Sequence, residues 1–236
     1  SIDCVVEGQM GKAFVDDTNE PRVFKIQVGP FCYFAGDPES PIGQEMLKKL
    51  EPYCLMMPSG TGWAEAAKEM HGKFLITMPR YCYSFGSVKS ELLDEINQQS
   101  AFKDVAKRMD LKFVSKLWGV DHFIDLADYD SPEDFVNRGI GFYIEKSGEV
   151  IAAAFSSLVC SHSIEVSIFV LDSYRRQGVA TVLGIRLLQW CIDNGMEAHW
   201  DAANRESCKL AEKFGYSFKS QYDAFYIPDL SGRNSE

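Results

Sequence analysis

The stretch Ile164-Glu165-Val166-Ser167-Ile168-Phe169-Val170-Leu171-Asp172-Ser173-Tyr174-Arg175-Arg176-Gln177-Gly178-Val179-Ala180-Thr181 changes its periodicity part-way along. Ile164, Val166, Ile168 and Val170 alternate with Glu165, Ser167 and Phe169, so a strand here sends the apolar set to one face and the carboxylate and hydroxyl to the other. A short polar turn follows. Beyond Gly178 the spacing becomes helical: Val179, Leu183, Arg186 or Leu187, Trp190 and Cys191 recur at steps of three and four. Gly195 stands where a left-handed residue closes a helix.

The start of that helix decides what the segment can bind. No Ser, Thr, Asp or Asn directly precedes Gly178 to cap it, so several N–H groups of the first turn lack a partner in the sequence nearby. Gly178 and Ala180 add little bulk, and Arg175 and Arg176 add positive charge just upstream. Open N–H donors, the positive end of a helix dipole and guanidinium groups describe an anion site, most naturally for phosphate.

Arg175-x-x-Gly178-x-Ala180 between a strand and a long helix resembles the pyrophosphate-binding motif of the GNAT acetyltransferase superfamily. Downstream, Trp200-Asp201-Ala202-Ala203-Asn204 and Ser207-Cys208-Lys209-Leu210-Ala211-Glu212-Lys213-Phe214-Gly215-Tyr216 resemble that family's next strand and helix, with its Asn opening and Gly-aromatic exit. The resemblance spans roughly Leu111 to Ile227. The Trp-Asp-Ala-Ala-Asn wording looks most like the branch containing the zwittermicin A resistance acetyltransferase.

Composition bounds the alternatives. The chain has 236 residues, 46% of them hydrophobic, enough for a substantial core. Its formal charge of −10 argues against nucleic acid as a partner and suits a cationic substrate. The 7 cysteines are odd in number and form no Cys-x-x-Cys pair, so neither a disulfide framework nor a thiolate zinc site is expected. The four histidines, His71, His122, His162 and His199, have no ligand spacing, and no metal is expected. No signal peptide and no membrane-crossing apolar run is evident, which makes the cytoplasm the expected compartment.

The expected architecture is α/β, or α+β with a mixed sheet: an N-terminal lobe over 1–109 and a GNAT domain over 110–236. In the first lobe strands are expected at Val23–Val28, Phe31–Ala35, Tyr53–Met57 and Lys73–Met78, with helices at Gln44–Leu50 and Trp63–His71. Ser59-Gly60-Thr61-Gly62 is read as a turn. This order echoes the second lobe, which suggests a degenerate GNAT-like copy. Its glycine loop carries Asp37 and Glu39 and no arginine, so it should repel a pyrophosphate. A helix from Ser90 to Met109 is expected to connect the lobes. Leu111–Leu117 reads as a strand, Val120–Leu126 as a short helix, and Ser131-Pro132-Glu133-Asp134 as a helix start ended by Gly139. Phe142–Glu145 and Val150–Leu158 read as a hairpin, Glu197–Ala202 as a strand, and Lys219–Ile227 as the last strand or strand pair.

The resemblance implies transfer of an acetyl group from acetyl-CoA to a primary amine of a small molecule. Phe169, Val170 and Leu171 would hold the pantetheine arm. Arg175, Arg176, Gln177, Gly178, Val179, Ala180 and Thr181 would hold the pyrophosphate. Asn204 reads equally as a cofactor contact and as a plain N-cap. An alkylammonium, with a pKa of ~10, must lose a proton before it attacks. Glu165 is the candidate base, or else a solvated strand carboxylate or a binder of substrate cation, and Ser167 shares its face. His199 and Asp201 alternate on one strand and could line the pocket, although each histidine of the chain reads first as a surface or satisfied core residue. Many family members place a proton-donating tyrosine where this chain has Ala211. Ser207, Tyr216, Tyr222 and Tyr226 are the substitutes, or the thiolate leaves unassisted. A homodimer is compatible with this reading, and a non-catalytic coenzyme A-binding regulator is its rival.

Overall fold

The structure is a computed structural model and describes residues 1–100, 102, 104–120 and 122–229. It has two compact units. One holds Tyr81–Ser220 together with Ser1. The other holds Ile2–Arg80 and the chain from Gln221 onward.

The 2–80 unit contains α1 (Ile2–Val6), β1 (Lys12–Val15), β2 (Val23–Val28), β3 (Phe31–Gly36), α2 (Pro41–Lys48), β4 (Leu55–Pro58) and α3 (Thr61–His71). Neither α1 nor β1 is expected from the sequence: both are short and mostly exposed, so they carry no burial periodicity. β5 (Ile76–Ser84) leads out of this unit, and the end of β11 (Ser217–Tyr226) returns to it. The strands lie in the order β1-β2-β3-β4-β11. β1/β2 and β2/β3 are antiparallel, β3/β4 is parallel across α2, and β4/β11 is antiparallel with Phe225 opposite Met56. Val23, Phe34, Leu47, Met56, Trp63 and Phe225 form the core.

The expectation of no disulfide is overturned here. Cys32, on β3, and Cys54, just before β4, are disulfide-bonded with their Cα atoms 6.4 Å apart. Their sequence separation of 22 matches no motif. The parallel pairing of the two strands is what brings them together. Closing a loop of this size is worth about 3 kcal/mol. Replacing both cysteines by alanine should lower the melting temperature by roughly 6–12 °C, measured calorimetrically, and reductant should have no further effect on the variant.

The 81–220 unit contains the end of β5, then α4 (Ser90–Gln98), β6 (Lys107–Arg108), α5 (Leu111–Leu117), α6 (Pro132–Arg138), β7 (Gly141–Lys146), β8 (Glu149–Val159), β9 (Ser163–Val170), α7 (Val179–Asp193), β10 (Glu197–Ala202), α8 (Arg205–Lys213) and the start of β11. The strand order is β6-β7-β8-β9-β10-β5. β7/β8 and β8/β9 are antiparallel, β9/β10 is parallel across α7, and β10/β5 is antiparallel.

The two units therefore share one succession of pairings. Each contains two antiparallel steps, a parallel step through a helix and an antiparallel step onto a strand from the other half of the sequence; the 81–220 unit adds β6, antiparallel to β7, outside them. β5 follows α3 in the chain yet pairs with β10, and β11 follows α8 yet pairs with β4.

Four expected elements change. The strand expected at Lys73–Met78 starts only at Ile76, after a 3-10 turn over Gly72–Phe74, and runs on to Ser84. The helix from Ser90 does not reach Met109. It ends at Gln98, Ser100 Oγ accepts from the Phe102 N–H, and Lys107–Arg108 pairs with β7. The α4 helix packs on α7, with Ser90 Oγ donating to Gln189 Oε1 at 3.0 Å. Leu111–Leu117 is helix rather than strand, because Asp110 caps it: its Oδ1 accepts from the Phe113 N–H at 2.8 Å. The described residues of 120–126 form no helix. Ser131 caps α6, Gly139 closes it and the β7–β8 hairpin forms, all as expected.

On α7 the glycine at 184 lets the ring of Phe214 approach the helix. A Cβ there would lie 2.6 Å from ring atoms. Gly184→Val should cost about 2–3 kcal/mol, read as a lower urea midpoint at unchanged slope.

Candidate functional site

β9 and β10 run side by side only at their beginnings. The register pairs are Glu197 with Ser163, Ala198 with Ile164 and His199 with Glu165. Beyond that point β10 pairs with β5, through Trp200 to Ala202, while β9 continues beside β8 as far as Val170. The strands part at Glu165. A bulge in β8 sits opposite, where the register shifts between Ser156 and Leu158, and Ser157 Oγ donates to the Glu165 carbonyl at 3.3 Å. A bulge adds local twist, which accounts for the divergence at this residue.

The parting leaves main-chain groups of β9 facing the gap. Leu171 N–H donates to Ile151 O on the β8 side at 2.9 Å. Amide directions alternate along a strand, so Ile168 and Val170 present their groups to the gap while Phe169 faces β8. Of the residues expected to meet a pantetheine arm, Val170 has this outward orientation and the Leu171 N–H is already engaged.

The loop from Asp172 to Gly178 turns β9 into α7. Arg175 is tied within it, with its guanidinium 2.8 Å from Asp172 Oδ1 and its Nε 3.3 Å from Val170 O. Gln177 Nε2 donates to Ser173 O at 2.9 Å. Arg176 has φ +59° and Gly178 has φ +86°, both in the left-handed region. These turns bring consecutive N–H groups to one side, the geometry of an anion-binding concavity. No side chain caps α7. Among the described residues nothing accepts from the N–H groups of Gln177 to Thr181, and the first internal bond is Val182 N–H to Gly178 O. A Cβ at Gly178 would meet nothing within 4 Å, so the space before these donors is open.

The corresponding loop of the 2–80 unit is shut. Ser40 caps α2, its Oγ accepting from Gly43 N–H at 3.0 Å, and Asp37 Oδ1 accepts from Glu39 N–H at 2.9 Å. A Cβ at Gly43 would lie 2.6 Å from Asp37 O. Donors that α7 leaves open are thus satisfied internally at α2, beside two carboxylates.

One face of the 81–220 sheet gathers the reactive side chains. Glu165, Ser167 and Phe169 alternate along β9, and His199 and Asp201 along β10. Register pairs His199 with Glu165 and Asp201 with Cys82. Glu165, Ser167, His199, Asp201 and Cys82 are all half-buried. Burial raises the Cys82 thiol pKa, and the Asp201 and Glu165 carboxylates raise it further against the pull of Lys219. His199 Nε2 lies 3.7 Å from Glu197 Oε2. At the far end, Phe169 stacks on Phe123 with centroids 4.0 Å apart. Phe123 belongs to the loop whose neighbouring residues, among them Trp118, His122 and Asp125, line a cleft of 520 Å³.

The substitute proton donors fare unevenly. Ala211, where the resemblance leads one to expect a tyrosine, is fully buried in the core. Tyr216 is buried, its hydroxyl donates to Ala198 O at 2.8 Å, and burial holds its pKa far above the usual range, so it is fixed in a structural bond. Tyr226 stacks on Tyr53 within the other unit. Ser207 Oγ accepts from Trp200 Nε1 at 3.1 Å and keeps its own proton to give. Tyr222 is half-buried. Asn204 is the N-cap of α8, its Oδ1 accepting from Ser207 N–H at 2.9 Å. That satisfies the cap and leaves the amide NH2 for another partner.

Two participants have no sequence signal of their own. Cys82 comes to this face only through the β5/β10 pairing. Lys213 reaches Thr181 Oγ1, at 3.4 Å, only because α8 packs beside the start of α7.

A family model described as GNAT acetyltransferase matches residues 2–225. A curated relative, the uncharacterized N-acetyltransferase YdfB of Bacillus subtilis (strain 168), is 25% identical over 235 residues, covering 92% of this chain and 85% of its own. Among solved structures, a GCN5-related N-acetyltransferase-like protein from Streptococcus suis 89/1591 superposes with a TM-score of 0.85 at 26% identity, covering 94% of this chain and 90% of that one. A GCN5-related N-acetyltransferase from Kribbella flavida shares the fold, with a TM-score of 0.59 at 14% identity over 97% of this chain and 94% of that one.

Proposed function

We propose, from the premise that this chain belongs to the GNAT acetyltransferase family, that it moves the acetyl group of acetyl-CoA onto a primary amine of a small molecule. The observation that carries the reading is the uncapped start of α7 lying at the end of a strand that parts from its neighbour at Glu165. The open N–H groups of Gly178 to Thr181, with Arg176 beside them, suit the diphosphate. Arg175 and Gln177 shape the loop through their bonds to Asp172, Val170 and Ser173. The outward amide groups of Ile168 and Val170 suit the pantetheine arm, which lies in the gap and sets the thioester near Glu165. Asn204, through its free NH2, reaches the same ligand from α8.

Glu165 then accepts the proton of the acceptor ammonium, directly or through water, and Ser167 positions that water. The amine nitrogen bonds to the thioester carbon, the carbon–sulfur bond breaks, and the sulfur leaves with the electron pair. A thiol pKa of ~8.5 makes it a fair leaving group, so Ser207 or an unassisted departure suffices in place of the missing tyrosine. The acidic face of Glu165 and Asp201, in a chain of net charge −10, favours a cationic acceptor. The Trp200–Asn204 wording extends the reading toward the zwittermicin A resistance branch and its aminated antibiotics.

In this proposal 110–236 is the catalytic sequence block, and 1–109 is an N-terminal lobe with a connecting segment, whose residues 1 to about 85 are a copy that lost its phosphate site, consistent with the closed Ser40 cap. No described helix is long and apolar enough to cross a membrane, and a supply of acetyl-CoA is what points to the cytoplasm. No metal and no nucleic acid enters the reaction as read here, and a homodimer is compatible with it.

The rival, a coenzyme A-binding regulator, draws on Ala211 being buried where a donor tyrosine is usual. A thiol-release assay with acetyl-CoA over an amine panel decides between them. Release dependent on an amine supports the transferase, and tight acetyl-CoA binding with no turnover on any amine supports the regulator.

A further inference from the structure

β1 (Lys12–Val15) is the outermost strand of the 2–80 unit, and among the described residues no strand pairs with its outer side. The ladder to β2 fixes which groups point outward. Asp16 N–H donates to Val23 O at 3.2 Å, continuing the register that sets Lys12 opposite Gln27 and Phe14 opposite Lys25. Even-numbered residues therefore bond to β2, and Ala13 and Val15 turn their N–H and C=O groups to the open edge. Open edges of this kind invite a further strand unless charge or proline blunts them. Here Phe14 and Val15 stay 42% and 40% exposed. The strand also runs from a cation, Lys12, to an anion, Asp16. The N–H groups of Val23 and Arg22 hold the Asp16 carboxyl below its usual pKa; both bonds end on Oδ1, which leaves Oδ2 for a cation.

We propose that β1 joins two copies of this chain, pairing antiparallel with itself about a two-fold axis at Phe14. A second copy is the occupant because the strand is complementary to itself. A ladder forms only when outward-facing residues oppose one another, so only every second register is open. One of these sets Ala13 against the partner's Val15 and uses every outward N–H and C=O of the two residues. It also sets Lys12 against the partner's Asp16, at both ends, and Phe14 against the partner's Phe14. These are the non-hydrogen-bonded positions, where side chains approach most closely. Sliding by two residues either way sets Phe14 against a lysine or an aspartate and leaves the opposite charges apart. Lys12 thus repels other registers and selects this one. The contact is short and each chain carries a charge of −10, so the dimer is weak, with a dissociation constant of about 10–100 µM.

The test is sedimentation equilibrium over about 1–500 µM protein for wild type, Val15→Pro, Lys12→Glu and the double variant Lys12→Glu with Asp16→Asn. The Val15 N–H faces outward, so proline blocks the edge and removes no bond to β2. Asparagine keeps an Oδ1 that accepts from Arg22 and Val23. Wild type should pass from the mass of one chain to that of two. Val15→Pro should stay at one throughout, with a circular dichroism spectrum like that of wild type; should it fail to fold, the charge series still decides. Lys12→Glu should weaken association by about tenfold or more, and adding Asp16→Asn should restore part of it by removing the like-charge pair. The register is read separately, by air oxidation of Phe14→Cys catalysed by copper phenanthroline. Position 14 should link to position 14 of the second copy, identified by mass spectrometry of the digest, while Ala13→Cys, which faces the partner's Val15, should not link to itself. A wild type that stays monomeric at about 500 µM overturns the proposal. So does a folded Val15→Pro or a Lys12→Glu that associates as wild type does, or a link that forms equally in Ala13→Cys. Each measurement reads association alone, so its outcome is independent of whether coenzyme A binds.

Discussion

Gly178→Glu is expected to abolish coenzyme A binding while leaving the fold intact. The backbone at 178 is left-handed, with φ +86° and ψ 0°, so any side chain costs about 1–2 kcal/mol there. No atom blocks the new Cβ, so the carboxylate reaches into the space in front of the open amides. Folding tolerates that, because an acid at a helix N-terminus interacts well with the dipole. Binding does not: like charges about 4 Å apart cost about 4 kcal/mol near a protein surface, roughly a thousandfold in affinity. Gly178→Ala separates the effects, since it carries the backbone strain without the charge and should stay within about tenfold of wild type. Calorimetric titration with coenzyme A, alongside the circular dichroism melt of each variant, reads both. A glutamate variant that binds as wild type would remove α7 from the coenzyme site.

The second large effect is expected at Glu165. Glu165→Gln keeps the shape and removes the proton acceptor, so kcat for an accepted amine should fall by about 10²–10⁴. Coenzyme A affinity should stay within about threefold, because the phosphate contacts lie at the other end of β9. The deficit has a pH signature. Near neutrality the amine is protonated and needs the base. As pH approaches ~10 the free amine predominates, and the variant should close on wild type. A deficit constant across pH would mean that Glu165 binds substrate rather than moving its proton.

The segment that carries both predictions was legible in the sequence because its signals are local. Alternation from Ile164 to Val170, the missing cap before Gly178 and the Asn204 cap each need only a few neighbouring residues. What was not legible depends on distant pairing. The meeting of Cys82 with Asp201 and Glu165 needs β5 to pair with β10, and the Cys32–Cys54 bond needs β3 beside β4. Leu111–Leu117 misled for a different reason. Leu111, Phe113 and Leu117 at odd positions imitate a strand, and the cap at Asp110 outweighs that pattern. His199 read first as a surface or core histidine, and its position opposite Glu165 is a matter of register, which no single strand reveals.

The exchange of last strands between the two halves also governs how such a chain can be made. β4 receives its outer neighbour from Gln221 onward, so through nearly all of synthesis that edge waits bare for a segment not yet translated. A chain cut between the halves would lose a strand from each sheet. Each half of the sequence is thereby incomplete without a strand supplied by the other.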